Sequence, residues 1–90
     1  MKVLGDIADH LKLVHRMARA TGVDLGEAMM DGQLDQQDWS QMVTNCRGCS
    51  CPGACTGWLQ QAELQGEDHA TAPDYCENRA SFDLLARRPA

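Results

Sequence analysis

Ninety residues suffice for one small domain, 1–90, and leave little room for two. The formal charge is −5, and the acids Asp24, Glu27, Asp31, Asp35 and Asp38 occupy a stretch free of Lys and Arg between Arg19 and Arg47; that excludes a broad nucleic-acid surface, which needs clustered cations. No run approaches the ~18 apolar residues of a membrane span, and Asp6 and Asp9 interrupt the N-terminal stretch before a signal core can form, so a cytoplasmic protein without membrane partners is expected.

The first helix is expected from near Val3 to Ala20. Leu4, Ile7, Leu11, Val14 and Ala18 make one apolar stripe, widened by Leu13 and Met17. Gly22 suits the left-handed position after the helix, because it has no Cβ to clash. A short second helix follows, with Asp24 and Glu27 spaced as a capping box and Ala28, Met29 and Met30 supplying apolar contacts; Gly32 ends it. Asp35 is the expected N-cap of a third helix, and Leu34 and Trp39 are spaced for a hydrophobic staple. Trp39, Met42, Val43 and Cys46 lie at i, i+3, i+4 and i+7, so Cys46 extends the inward face.

Residues 47–53 form a tight turn, and Pro52 suits the first position of a fourth helix. There Cys55, Trp58, Leu59 and Ala62 repeat the same spacing, so Cys55 begins an inward face as Cys46 ends one. Residues 65–72 are polar and read as a loop. A last helix starts between Asp74 and Arg79, with Phe82 and Leu85 buried, Tyr75 and Leu84 as further candidates, and Arg87 and Arg88 in its last turn. The expected fold class is all-α, a compact array of four to five short helices around a cysteine cluster.

Five cysteines carry the chemistry: Cys46, Cys49, Cys51, Cys55 and Cys76. In a reducing compartment such a cluster points to metal or redox chemistry rather than to structural disulfides. Two inward helix ends and a glycine-containing turn bring Cys46, Cys49 and Cys55 together, and Cys76 can arrive from the start of the last helix. A cluster of thiolates needs a cation to offset its repulsion, which Zn²⁺ or an iron–sulfur core provides. Arg47 places a positive charge nearby. Cys46, Cys49, Cys55 and Cys76 are therefore the expected metal ligands, with Cys51 either the spare or a replacement for Cys49. Zinc sites often carry two close cysteine pairs, whereas this chain has one C-x2-C pair followed by singletons.

Three histidines are available. His10 and His15 read as decoration of the first helix and His69 as part of a polar loop. The run from Asp31 to Asp38 superficially suggests calcium but lacks the glycine and terminal glutamate of an EF-hand loop; helix caps explain its acids better. A thioredoxin-type redox pair is disfavoured because no strand is expected around it.

The C-x2-C-x5-C spacing resembles the last three ligands of the iron–sulfur loop in helix-hairpin-helix DNA glycosylases. That family has another cysteine seven positions before the pair, where this chain has Trp39. The likeness implies only that such spacing can serve a [4Fe–4S] cluster, not a repair activity. A broader resemblance covers most of the chain. Arg16-Met17, Gly22 to Leu25, Trp39 with Met42-Val43, Cys46 to Cys49, Cys55 with Trp58-Leu59, Pro73 with Tyr75-Cys76 and Asn78, then Phe82 and Leu85 resemble a family of small uncharacterised alphaproteobacterial proteins, a domain of unknown function. The resemblance implies that Cys46, Cys49, Cys55 and Cys76 act as a unit and that Cys51 departs from it.

The expected function is a small non-enzymatic metal-binding module. Its four-cysteine site takes an iron–sulfur cluster, [4Fe–4S] first, or Zn, with iron–sulfur favoured slightly. It serves redox or iron sensing, electron transfer or stabilisation of the fold, with a protein partner of unknown identity and no nucleic acid. The alternative is a disulfide-stapled helical adaptor without metal. A reactive-thiol enzyme is a third, weaker reading.

Overall fold

Caps and turns, more than intrinsic propensity, decide where these helices begin and end. The computed structural model describes residues 5–86. Among them lie α1 (Ile7–Ala20), α2 (Leu25–Met30), α3 (Gln36–Arg47), α4 (Pro52–Leu64) and α5 (Arg79–Ala86). No strand occurs among the described residues, and the class is all-α. The expected helical start near Val3, Leu4 in its stripe, and Arg87 and Arg88 in the last turn lie outside the described residues.

Asp6, Asp24 and Asp35 each accept a backbone N–H three residues on, satisfying donors that a helix start leaves open. At α3 the arrangement is reciprocal: Asp38 N donates to Asp35 Oδ1 at 2.7 Å and Asp35 N donates to Asp38 Oδ2 at 3.2 Å. α4 has no side-chain cap and starts with Pro52 in its first turn. After α1, Gly22 takes φ +80°, and a Cβ there would lie 2.5 Å from Asp68 O, so a side chain would be strained and blocked.

α1 is the hub and packs against both α3 and α4. Its buried residues are His10, Val14, Met17, Ala18 and Ala20, so the inward face is rotated from the expected stripe. Ile7 is 52% exposed and Leu11 only half-buried, while Val14 and Ala18 stay inside. The cause is that α1 lies between two neighbours, which widens its inward face toward Met17 and His10. Met17, Val14, Leu59 and Phe82 are the largest fully buried side chains. Each such burial is worth roughly 1.5–3 kcal/mol before entropy is counted.

The second helix departs from expectation. Ala28 is fully buried, but Met29 is half-exposed and Met30 almost wholly exposed. A helix of six residues turns one narrow face inward, and Ala28 with the half-buried Leu25 fills it. Leu34 is buried and Trp39 packs against the same core, as the staple requires. Phe82 and Leu85 are buried on α5, whereas Leu84 points to solvent.

Candidate metal centre

The four expected ligand cysteines reach one place from three structural contexts. Cys46 sits in the last turn of α3, where its spacing from Met42 and Val43 directs it inward. Cys49 follows in the turn, Cys55 lies on α4 one turn before Leu59, and Cys76 precedes α5. All four line a single cavity, together with His10 and Tyr75. Leu13, Met17 and Phe82 supply much of the remaining wall, and the lining is almost wholly apolar. Cys51 does not line it. All five cysteines are free thiols and all are half-buried.

The hydrogen bonds divide the thiols. Cys46 Sγ donates to His10 O at 3.6 Å, and Cys49 Sγ donates to Tyr75 O at 4.0 Å. Cys49 Sγ also accepts Cys51 N–H at 3.4 Å, so the residue beside Pro52 contributes backbone rather than sulfur to the cavity. The backbone N–H of Asn78 favours the thiolate of Cys76. Such N–H···S bonds favour thiolate and tune a bound centre.

Burial, and then the neighbouring thiols Cys55, Cys76 and Cys49, push the Cys46 thiol up to about 12. Burial, then Cys76 and Cys49, push Cys55 up to about 11, partly offset by Arg16. Burial likewise raises Cys76, opposed by the backbone N–H of Asn78. Cys46 and Cys55 therefore feel the neighbouring thiols, and an added cation would reverse that penalty.

The cation near the site is Arg16, not the expected Arg47. Arg47 Nε is turned to Gly5 O at 2.8 Å. Arg16 is placed by a two-pronged bond to Glu63, both N···O distances being 2.8 Å. It could not be singled out in the sequence because the link joins residues on α1 and α4.

His10 is the other residue the sequence reading misplaced. It is 8% exposed, its Nδ1 lies 2.8 Å from Asp6 O, and it lines the cysteine cavity. The 10/14/17 spacing with Val14 and Met17 was the available signal, obscured because His reads as polar. His15 stays on the exposed side of α1, its ring against Trp39 at a centroid distance of 5.4 Å, and His69 is exposed.

The donor set fits a metal centre in kind: four sulfurs face one apolar space. That space measures about 30 Å³. Among the described residues no three His, Cys, Asp or Glu side chains are set to grip one ion, so the thiols would have to close inward on a bound centre.

A family model described as a family of unknown function (DUF6455) matches residues 1–88. No curated protein and no solved structure matches the chain. No helix among the described residues is long and apolar enough to cross a membrane.

Proposed function

Because the chain belongs to the DUF6455 family, whose function is unknown, we propose from its own residues that it is a small non-enzymatic module carrying an iron–sulfur centre on Cys46, Cys49, Cys55 and Cys76. One observation carries the reading: these four thiols ring one apolar cavity of about 30 Å³. When bound, such a centre supplies one-electron redox chemistry. The chain's own part is to hold the four sulfurs, to shield them with Leu13, Met17 and Phe82, and to direct the N–H of Cys51 at one of them. Because the cysteines are half-buried, a centre held by them would lie near the surface, which suits electron exchange with a protein partner, or sensing of redox state or iron, in the cytoplasm. Zinc in a purely structural role is the second outcome of the same test.

The test is anaerobic purification of the whole chain followed by analysis for iron, sulfide and zinc. A brown protein holding both iron and sulfide is expected. Zinc in place of iron would move the assignment to a structural site. A chain that takes up neither metal, when offered zinc or ferrous iron with sulfide under reducing conditions, would sink the reading.

A further inference from the structure

Asn78 is 2% exposed and lines the cysteine cavity. A carboxamide this deeply buried must have its donors and acceptor answered. Here α3 answers them. Asn78 Nδ2 donates to Met42 O at 2.8 Å, and Asn78 Oδ1 accepts from Asn45 Nδ2 at 3.1 Å. Asn45 is itself held by Gln41 Nε2 at 2.8 Å. The result is a relay of three amides in which each group donates onward and the last returns to the backbone of α3.

The placement of that relay is unusual for a merely structural bond. Asn45 directly precedes Cys46, and Asn78 follows Cys76 by two residues. The relay therefore ties together the two chain segments that bring Cys46 and Cys76 to the cavity. The main chain of Asn78 adds two further constraints. Its N–H favours the Cys76 thiolate, and its carbonyl accepts Phe82 N–H at 2.9 Å, the first bond of α5. One residue thus favours a thiolate, starts the helix behind it and fixes both to α3.

We propose that Asn78, braced by Asn45, is the positioning residue of the metal centre: it sets the span between the Cys46 and Cys76 sulfurs. The inference deepens the metal-centre reading and rests on it. Groups that orient ligands without touching the metal are typically worth ~10–100-fold in metal affinity. A carboxamide at 78 is specified by this geometry, since Asp would face the Met42 carbonyl without a donor and Ala would leave Asn45 Nδ2 without its acceptor.

The test compares wild type, Asn78→Ala and Asn45→Ala after reconstitution with ferrous iron and sulfide under anaerobic conditions. Three readouts are taken: the rate of bleaching by an iron chelator, the electron paramagnetic resonance spectrum of the reduced centre, and the urea midpoint of the metal-free protein. Asn78→Ala should bleach ~10–100-fold faster than wild type and show altered g-values. Asn45→Ala should fall between the two, with its metal-free midpoint lowered as well, because it leaves the buried Asn78 Oδ1 without its donor. If Asn78→Ala does not fold, Asn45→Ala decides alone. Wild-type bleaching rates and spectra in the folded variants would overturn the proposal, even with lowered midpoints, since a purely structural bond moves only the midpoint. A wild-type chain that takes up no iron and sulfide would overturn the metal-centre reading itself, and that failure is visible before any variant is compared.

Discussion

Single side chains separate the roles gathered around the cavity. Cys46→Ser and Cys55→Ser remove thiols that face the shared space, so each should abolish metal uptake, read as iron and zinc per chain. Cys51→Ser should leave uptake intact, because residue 51 reaches Cys49 through its backbone N–H, which serine retains. Equal loss from Cys51→Ser would show that the ligand set is wrong. Arg16 and Glu63 give a second separation, this time in pH. The Arg16 guanidinium, by hydrogen bond and then by charge, holds the Glu63 carboxyl below its ordinary 4.5. A carboxyl lowered in the folded state binds fewer protons there than in the unfolded chain at the same acid pH. Its contribution is therefore present above the ordinary value and lost as pH falls through the lowered one. Urea midpoints measured on acidification below 4.5 should drop more for wild type than for Glu63→Gln. Because Glu63 is exposed, the difference is small and shrinks with salt.

At the scale of elements, α3 bears two different burdens at its two ends. The Asp35–Asp38 pair starts it, and Cys46 leaves from its last turn. Asp35→Ala should cost about 1 kcal/mol in a urea titration of the metal-free protein and leave metal content unchanged. Cys46→Ser should remove the metal while sparing the cap. What the sequence disclosed about these elements follows from the range of the forces involved. Caps and glycine stops are local, so the starts at Asp24, Asp35 and Pro52 and the stop at Gly22 could be read within a few residues. The inward faces of α3 and α4 were legible because their apolar spacing is regular, and Cys46 and Cys55 were legible with them. The face of α1 was legible at Val14, Met17 and Ala18 but not at Ile7, Leu11 or His10, because packing against two helices rotated it. Arg16 near Cys55 and Asn78 against Met42 join residues far apart in the chain, and no local pattern encodes such pairs. Met29 and Met30 misled for the opposite reason: apolar character was taken as burial where a six-residue helix had no face left to bury them.

For the molecule as a whole, the question is what share of its cohesion a bound centre would supply. The radius of gyration is 12.6 Å, close to the ~12 Å expected for a compact chain of this length. A domain this small still buries a limited fraction of its surface and has little stability in reserve. The cysteines come from the end of α3, the following turn, α4 and the approach to α5, so a bound centre would link segments that otherwise meet mainly through α1. Any ligand that binds the folded chain and not the unfolded one adds stability by mass action, about 2.7 kcal/mol at a hundredfold excess over its dissociation constant. The loaded protein should accordingly unfold at a higher urea concentration than the metal-free protein, and a chelator should erase the difference. In Cys55→Ser loaded and stripped samples should coincide. Leu59→Ala, which opens the fully buried core beside α1, should lower both wild-type curves by ~2–5 kcal/mol while preserving a gap between them. Identical midpoints for loaded and metal-free wild type would mean that the centre sits on a fold that does not depend on it, and would leave electron exchange or sensing, rather than stabilisation, as the reason for gathering four thiols.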